Sequence, residues 1–182
     1  MSSISESKVG LVFGTDTGNT EEVGEKIADL FAEMGCPVDM INVVEADQTI
    51  LESFDFLILG IPTWDFGGIQ EDWERFEGEL LSTNLANTTV ALYGLGDQRG
   101  YGDFFLDAMG WLHARVQKAG ARVIGAWSTD GYDFQESLAV NDDKSMFCGL
   151  GIDEDQQFEL TDERISEWVA QLAEEFAQVN AA

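Results

Sequence analysis

The chain has 182 residues, enough for one domain with a sizeable core, and its 45% hydrophobic and 24% charged content is that of a water-soluble globular protein. Nine Lys and Arg against 35 Asp and Glu give a formal net charge of −26, a field that repels phosphate backbones and excludes nucleic acid as a natural partner. No apolar run approaches the roughly 20 residues of a membrane span, and the polar residues 1–8 lack the apolar core of a secretion signal, so a cytoplasmic protein without membrane insertion is expected.

The acidic field would instead speed encounters with proteins that carry a basic docking patch. A solvated acidic surface with no partner meaning is the other reading of the same charge. Cys36 and Cys148 lie far apart without CxxC or metal-ligand spacing, and His113 has no companion, so neither a disulfide nor a metal site is expected.

In chain order, residues 9–14 (VGLVFG) form a short apolar run ending in glycine, which reads as a buried strand. After the loop at 15–20, Val23, Ile27, Leu30, Phe31 and Met34 recur on one helical face, and Gly35 closes that helix. Residues 37–43 (PVDMINV) alternate like an edge strand, with proline at its start. Residues 54–61 (FDFLILGI) are the strongest central-strand candidate, and Pro62 is expected to end it. A helix over 71–81 leads to a fourth strand at 89–94 (TVALYG). Phe105, Ala108, Met109, Leu112 and Val116 predict a helix over about 103–119. Residues 122–127 (RVIGAW) read as a fifth strand, and a last helix over 161–179 presents Ile165, Trp168, Val169, Leu172 and Phe176.

Strands alternating with helices require a parallel sheet with helices on both faces, a three-layer α/β sandwich. Five strands with right-handed crossovers most commonly take the order 2-1-3-4-5, whose ligand crevice lies at the carboxyl ends of the strands. Between 128 and 161 the rhythm breaks. No helix is expected there, and 146–150 (MFCGL) reads as a short strand that returns to the sheet edge. With no repeat and no linker, the chain is expected to be a single domain over 1–182, with a folded core at 8–179 and an insertion and return strand at 128–160.

Three loops then converge on one edge. The first, Thr15-Asp16-Thr17-Gly18-Asn19-Thr20, offers hydroxyls and backbone N–H groups at a helix start, a setting that binds anions. GxxxxGK[ST] and GxGxxG are both missing, which favours a phosphomonoester over a triphosphate or dinucleotide. A hydroxyl-rich helix cap with no ligand fits the same residues. The second loop, Pro62-Thr63-Trp64-Asp65-Phe66-Gly67-Gly68, places an indole at a strand end beside paired glycines, as a stacked planar ligand would need. Trp64 would equally serve as a core aromatic capping the sheet. The third loop, Gly94-Leu95-Gly96-Asp97-Gln98-Arg99-Gly100-Tyr101, adds a second flat ring.

These residues are where the sequence resembles a known family, the long-chain flavodoxins. The resemblance runs from Val9 to Phe176 and rests on TDTGNT at 15–20, PTWDFGG at 62–68 and YGLGDQRGY at 93–101. WSTDGYDF at 127–134 and CGLGIDED at 148–155 correspond to the extra segment of long-chain members. The resemblance implies a flavodoxin-like fold with the insertion in the fifth strand, and FMN bound noncovalently. Thr15, Thr17, Gly18, Asn19 and Thr20 would hold its phosphate, with Asp16 supplying a backbone N–H. Thr63 would lie near the ribityl chain, Trp64 and Tyr101 would cover the two ring faces, and Gly96 and Asp97 would meet the pyrimidine edge. The peptide between Asp65 and Phe66, next to Gly67, would turn its carbonyl toward the ring on reduction.

The function so implied is a low-potential one-electron carrier between redox proteins, cycling mainly between semiquinone and hydroquinone. Expected partners are proteins with basic docking surfaces, such as a ferredoxin- or flavodoxin-NADP reductase and a low-potential acceptor or donor, and the carrier itself is expected to be a monomer. An FMN-dependent NAD(P)H quinone or azo reductase of the same fold is the alternative. Two departures from the family pattern concern flavin tuning: Asp65-Phe66-Gly67-Gly68 where many members carry Asn and then an acid after the first glycine, and Phe104 where Asn is frequent.

Overall fold

The structure is a computed structural model that describes residues 3–181; Met1, Ser2 and Ala182, the ends of the expected 1–182 domain, lie outside the described residues. In chain order the main elements are β1 (Val9–Phe13), α1 (Asn19–Glu33), β2 (Val38–Asn42), α2 (Gln48–Glu52), β3 (Phe56–Trp64), β4 (Gly68–Ile69) and α3 (Glu71–Ser82). They continue with β5 (Thr89–Leu95), α4 (Asp107–Lys118), β6 (Arg122–Ile124), β7 (Trp127–Ser128), β8 (Met146–Phe147), β9 (Leu150–Ile152) and α5 (Thr161–Ala181).

The parallel strands lie in the order β2-β1-β3-β5-β6, which is the expected 2-1-3-4-5 once the small β4 is set aside. Every residue of β1 and β5 is buried, as strands covered on both faces must be. Val23, Ile27 and Phe31 of α1 pack with Trp168, Leu172 and Phe176 of α5 on one side of the sheet. Trp73, Phe76 and Leu80 of α3 pack with Met109, Leu112 and Val116 of α4 on the other. The helical spacing of these apolar residues is what assigns each helix a face.

Four expectations about local structure need correcting. Pro62 does not end the central strand, which runs on to Trp64. β1 pairs with β3 only as far as Phe13 opposite Gly60, so the missing N–H of Pro62 falls where no neighbour needs it. The helix expected from about 103 begins at Asp107, after a 3-10 turn at Gly102–Phe104 and a left-handed Leu106 (φ 60°). The short α2 was not foreseen; Asp47 caps it, its Oδ1 accepting from the Ile50 N–H at 2.8 Å.

The fourth correction concerns the insertion. Strand 122–127 stops at Ile124 because Gly125 (φ 86°) turns the backbone toward α5. There the Gly125 N–H donates to Glu175 Oε2 (2.8 Å) and its carbonyl accepts from Trp168 Nε1 (2.8 Å). A Cβ at this position would meet Leu172 at 2.8 Å. The run 146–150 is likewise two pieces: β8 pairs antiparallel with β7, and β9 returns to the main sheet beside β5, with Tyr93 opposite Leu150 and Leu95 opposite Ile152. The fifth strand is thus split, its lower half β6 and its upper half β9.

Candidate functional site

At the carboxyl ends of β1, β3 and β5 the three loops enclose a crevice of about 380 Å³. Of the residues singled out in the sequence, Thr15, Asp16, Thr17, Asn19, Thr20, Thr63, Trp64, Asp65, Gly96, Asp97 and Tyr101 line it. Gly18, Phe66 and Gly67 do not. Pro62, Leu95, Glu154 and Asp155 complete the lining. The last two lie in the CGLGIDED segment, whose resemblance to long-chain members implies no place for them in the site.

The first loop is held from below. Gly18 takes a left-handed conformation (φ 93°) and donates its N–H to Thr15 Oγ1 at 2.9 Å, which turns the chain into α1. No side chain caps the start of α1, so its first-turn N–H groups and the positive end of its dipole are left for a partner at the crevice. The Tyr93 hydroxyl reaches up from inside β5 and donates to the Thr20 carbonyl at 2.8 Å. Burial pushes the Tyr93 phenol far above its ordinary pKa, so it stays a donor. Its ring fits because residue 60 is glycine: a Cβ there would lie 2.1 Å from Tyr93. The Asp16 carboxylate turns aside to accept from Gln70 Nε2 (3.1 Å), while Gln70 Oε1 caps α3 through the Trp73 N–H (3.2 Å).

The second loop is the β3–β4 hairpin, with Trp64 opposite Gly68 and left-handed Asp65 (φ 45°) and Gly67 (φ 83°) between. Asp tolerates this conformation better than most residues. Thr63 Oγ1 accepts the Ala108 N–H at 3.1 Å and fastens the hairpin to the start of α4. Trp64 is half-buried, and its indole Nε1 is enclosed without any hydrogen-bond partner. At the crevice wall such a donor is open to an acceptor from a bound molecule or a water. Phe66 is 77% exposed at the rim and meets Tyr101 and Phe104 edge-on, at centroid distances of 5.7 and 5.8 Å.

The third loop is a tight turn closed by Asp97, whose Oδ1 accepts from the N–H groups of Arg99 (3.1 Å) and Gly100 (2.7 Å) and from Gln156 Nε2 (3.0 Å). Burial works to raise the Asp97 pKa, but these donors outweigh it and hold the carboxyl below its usual range. The Gly96 N–H is already committed to the Ile152 carbonyl at 3.0 Å. Burial raises the pKa of Glu154 and Asp155, and for Asp155 the neighbouring Asp97 and Asp153 add to the rise. Five acidic residues therefore line the crevice, Asp16, Asp65, Asp97, Glu154 and Asp155, and no Lys or Arg among the described residues does.

This arrangement suits a ligand with a flat ring between Trp64 and Tyr101 and an anionic end at the α1 amides, gripped without a cationic side chain. A larger groove of about 630 Å³ runs along β6 between α4, α5 and the insertion. It has neither an uncapped helix start nor an unpartnered buried donor, so the smaller crevice is the better candidate.

The flavodoxin family profile matches residues 11–168. Flavodoxin 2 of Escherichia coli is 46% identical over 171 residues, covering 93% of this chain and 97% of its own. A flavodoxin of a Nostoc species is 46% identical over 169 residues, with the same coverage of both chains. Among solved structures, Fusobacterium nucleatum flavodoxin bound to flavin mononucleotide superposes with a TM-score of 0.85 at 29% identity, covering 93% of this chain and 98% of that one. Matched along nine-tenths of its length at close to half identity, the chain belongs to the flavodoxin family.

Proposed function

We propose that this protein is an electron carrier that binds one FMN noncovalently in the crevice and passes single electrons at low potential. The observation that carries the reading is the pairing of an uncapped α1 start with an aromatic slot whose Trp64 Nε1 lacks a partner. The Thr15–Thr20 loop would hold the phosphate through backbone N–H groups and hydroxyls. Trp64 and Tyr101 would flank the ring, with Thr63, Asp65, Gly96 and Asp97 along its edges; Gly18 and Gly67 shape the turns, and Phe66 closes the rim. When bound, FMN supplies the redox chemistry.

The protein's own contribution is binding, orientation and charge. Each of the five carboxylates opposes the addition of negative charge in the crevice, which supports a strongly negative second potential. Only four ion pairs form among the described residues, so most of the 35 acidic side chains remain uncompensated. That surface suits protein partners with basic faces, such as an NADP-linked reductase and a low-potential acceptor or donor. The Phe66–Tyr101–Phe104 cluster covers the outer side of the slot, where a reductase would need room for a second substrate. No helix among the described residues is long and apolar enough to cross a membrane, and we place the carrier in the cytoplasm.

Adding FMN to the apoprotein tests the reading. One equivalent should bind with loss of flavin fluorescence, and a protein that takes up none would refute it.

A further inference from the structure

Asp153 follows β9 directly and is fully buried, with 0% of its surface exposed. It joins none of the ion pairs among the described residues. A buried carboxylate is costly unless donors surround it, and three backbone N–H groups do so. Oδ1 accepts from Asp155 (3.1 Å) and Gln156 (2.9 Å), in its own turn, whereas Oδ2 accepts from Gln98 (3.0 Å), in the third loop of the crevice. The same segment holds that loop twice more, through Gln156 Nε2 on Asp97 Oδ1 (3.0 Å) and the Ile152 carbonyl on the Gly96 N–H (3.0 Å). From the insertion, the Asp133 N–H donates to Gln98 Oε1, and the Gln98 side chain is itself buried. One wall of the crevice is therefore fastened to the strand that returns from the insertion.

We propose that Asp153 is a positioning residue for the flavin ring. By holding the Gln98 N–H it fixes the placement of the 96–101 loop, and with it the affinity for the ring, independently of the phosphate grip at α1. The proposal rests on the FMN reading above. An Asp153→Asn side chain keeps the size but has a single acceptor oxygen. With that oxygen on the two amides of its own turn, its NH₂ faces the Gln98 N–H, donor against donor. The turn survives and the tie to the loop is lost.

The test titrates wild-type and variant apoproteins with FMN and with riboflavin, which lacks the phosphate and reports on the ring walls alone. Asp153→Asn should weaken both flavins by the same factor, roughly tenfold or more for the loss of a charge-assisted hydrogen bond, and shift the potentials of the bound flavin. Gln156→Ala, an exposed change that removes one of the other ties, should weaken both equally by about threefold. Tyr132→Phe serves as the structural comparison: it removes the hydrogen bond donated to the Gly151 carbonyl (2.7 Å) and the one accepted from Trp127 Nε1 (2.9 Å), and should lower the melting temperature while leaving both affinities unchanged.

A folded Asp153→Asn protein that binds riboflavin like the wild type would overturn the proposal. So would equal weakening by Tyr132→Phe at a matched loss of melting temperature. If Asp153→Asn does not fold, Gln156→Ala decides, and an unchanged riboflavin affinity there overturns the proposal. A wild-type protein that takes up neither flavin removes the FMN reading itself and this inference with it, a failure visible before any variant is made.

Discussion

Adding salt is expected to tighten FMN binding, the reverse of what a phosphate site built on Lys or Arg would do. Asp16, Asp65, Asp97, Glu154 and Asp155 line the crevice, and among the described residues the attraction for a phosphate comes from uncapped N–H groups and hydroxyls at the start of α1. A dianion roughly 10 Å from five such charges meets about 0.4 kcal/mol of repulsion per pair of unit charges in water, or about 4 kcal/mol in all before screening. The Debye length falls from about 30 Å at 0.01 M salt to about 8 Å at 0.15 M, which removes somewhat under half of that repulsion at this separation. FMN affinity should then rise by about 1.7 kcal/mol, roughly twentyfold. Hydrogen bonds from enclosed N–H groups are short-ranged and lose little to the same screening. The assay is quenching of flavin fluorescence at the two salt concentrations, with riboflavin as the uncharged control, whose affinity should change by less than about twofold. An FMN affinity that falls with salt would show that a cation holds the phosphate and would refute the reasoning.

Trp64→Ala and Tyr101→Ala should each keep the fold, weaken FMN and raise the second one-electron potential; affinities and potentials unchanged in both variants would remove the stacking assignment. Tyr93→Phe deletes the hydroxyl under the first loop, and since the Thr20 carbonyl retains its place in α1 the cost should be about 1 kcal/mol, or about 2–4 °C in melting temperature for a chain of this size. No change on thermal unfolding would mean that this bond does not brace the loop. Electron delivery to a protein with a basic face, followed by stopped-flow absorbance, should slow steeply as salt is added. A flat response would show that the acidic surface does not steer. Salt thus acts in opposite directions on cofactor uptake and partner encounter.

The order of the elements was legible because fully buried strands and amphipathic helices leave different periodicities, and VGLVFG, FDFLILGI and TVALYG show the first while 161–179 shows the second. The three loops could be placed at one edge because parallel topology puts the loops after the strands there. Pro62 misled because proline is judged by what it cannot donate, and only the register with β1 shows that no donor is needed at that position. The split of the fifth strand was hidden for a related reason. Val123, Ile124 and Trp127 carry the strand pattern across Gly125, and the turn at Gly125 is imposed by Trp168, Leu172 and Glu175 of a helix some forty residues later. Glu154, Asp155 and the buried Asp153 escaped assignment because acidic residues are common in this chain; what sets them apart is the return of β9 to the upper half of β5.

An anaerobic potentiometric titration of the FMN-loaded protein tests the central claim most directly. The account predicts two separated one-electron steps, the second well below that of free FMN. A single two-electron step at the potential of free FMN would contradict it.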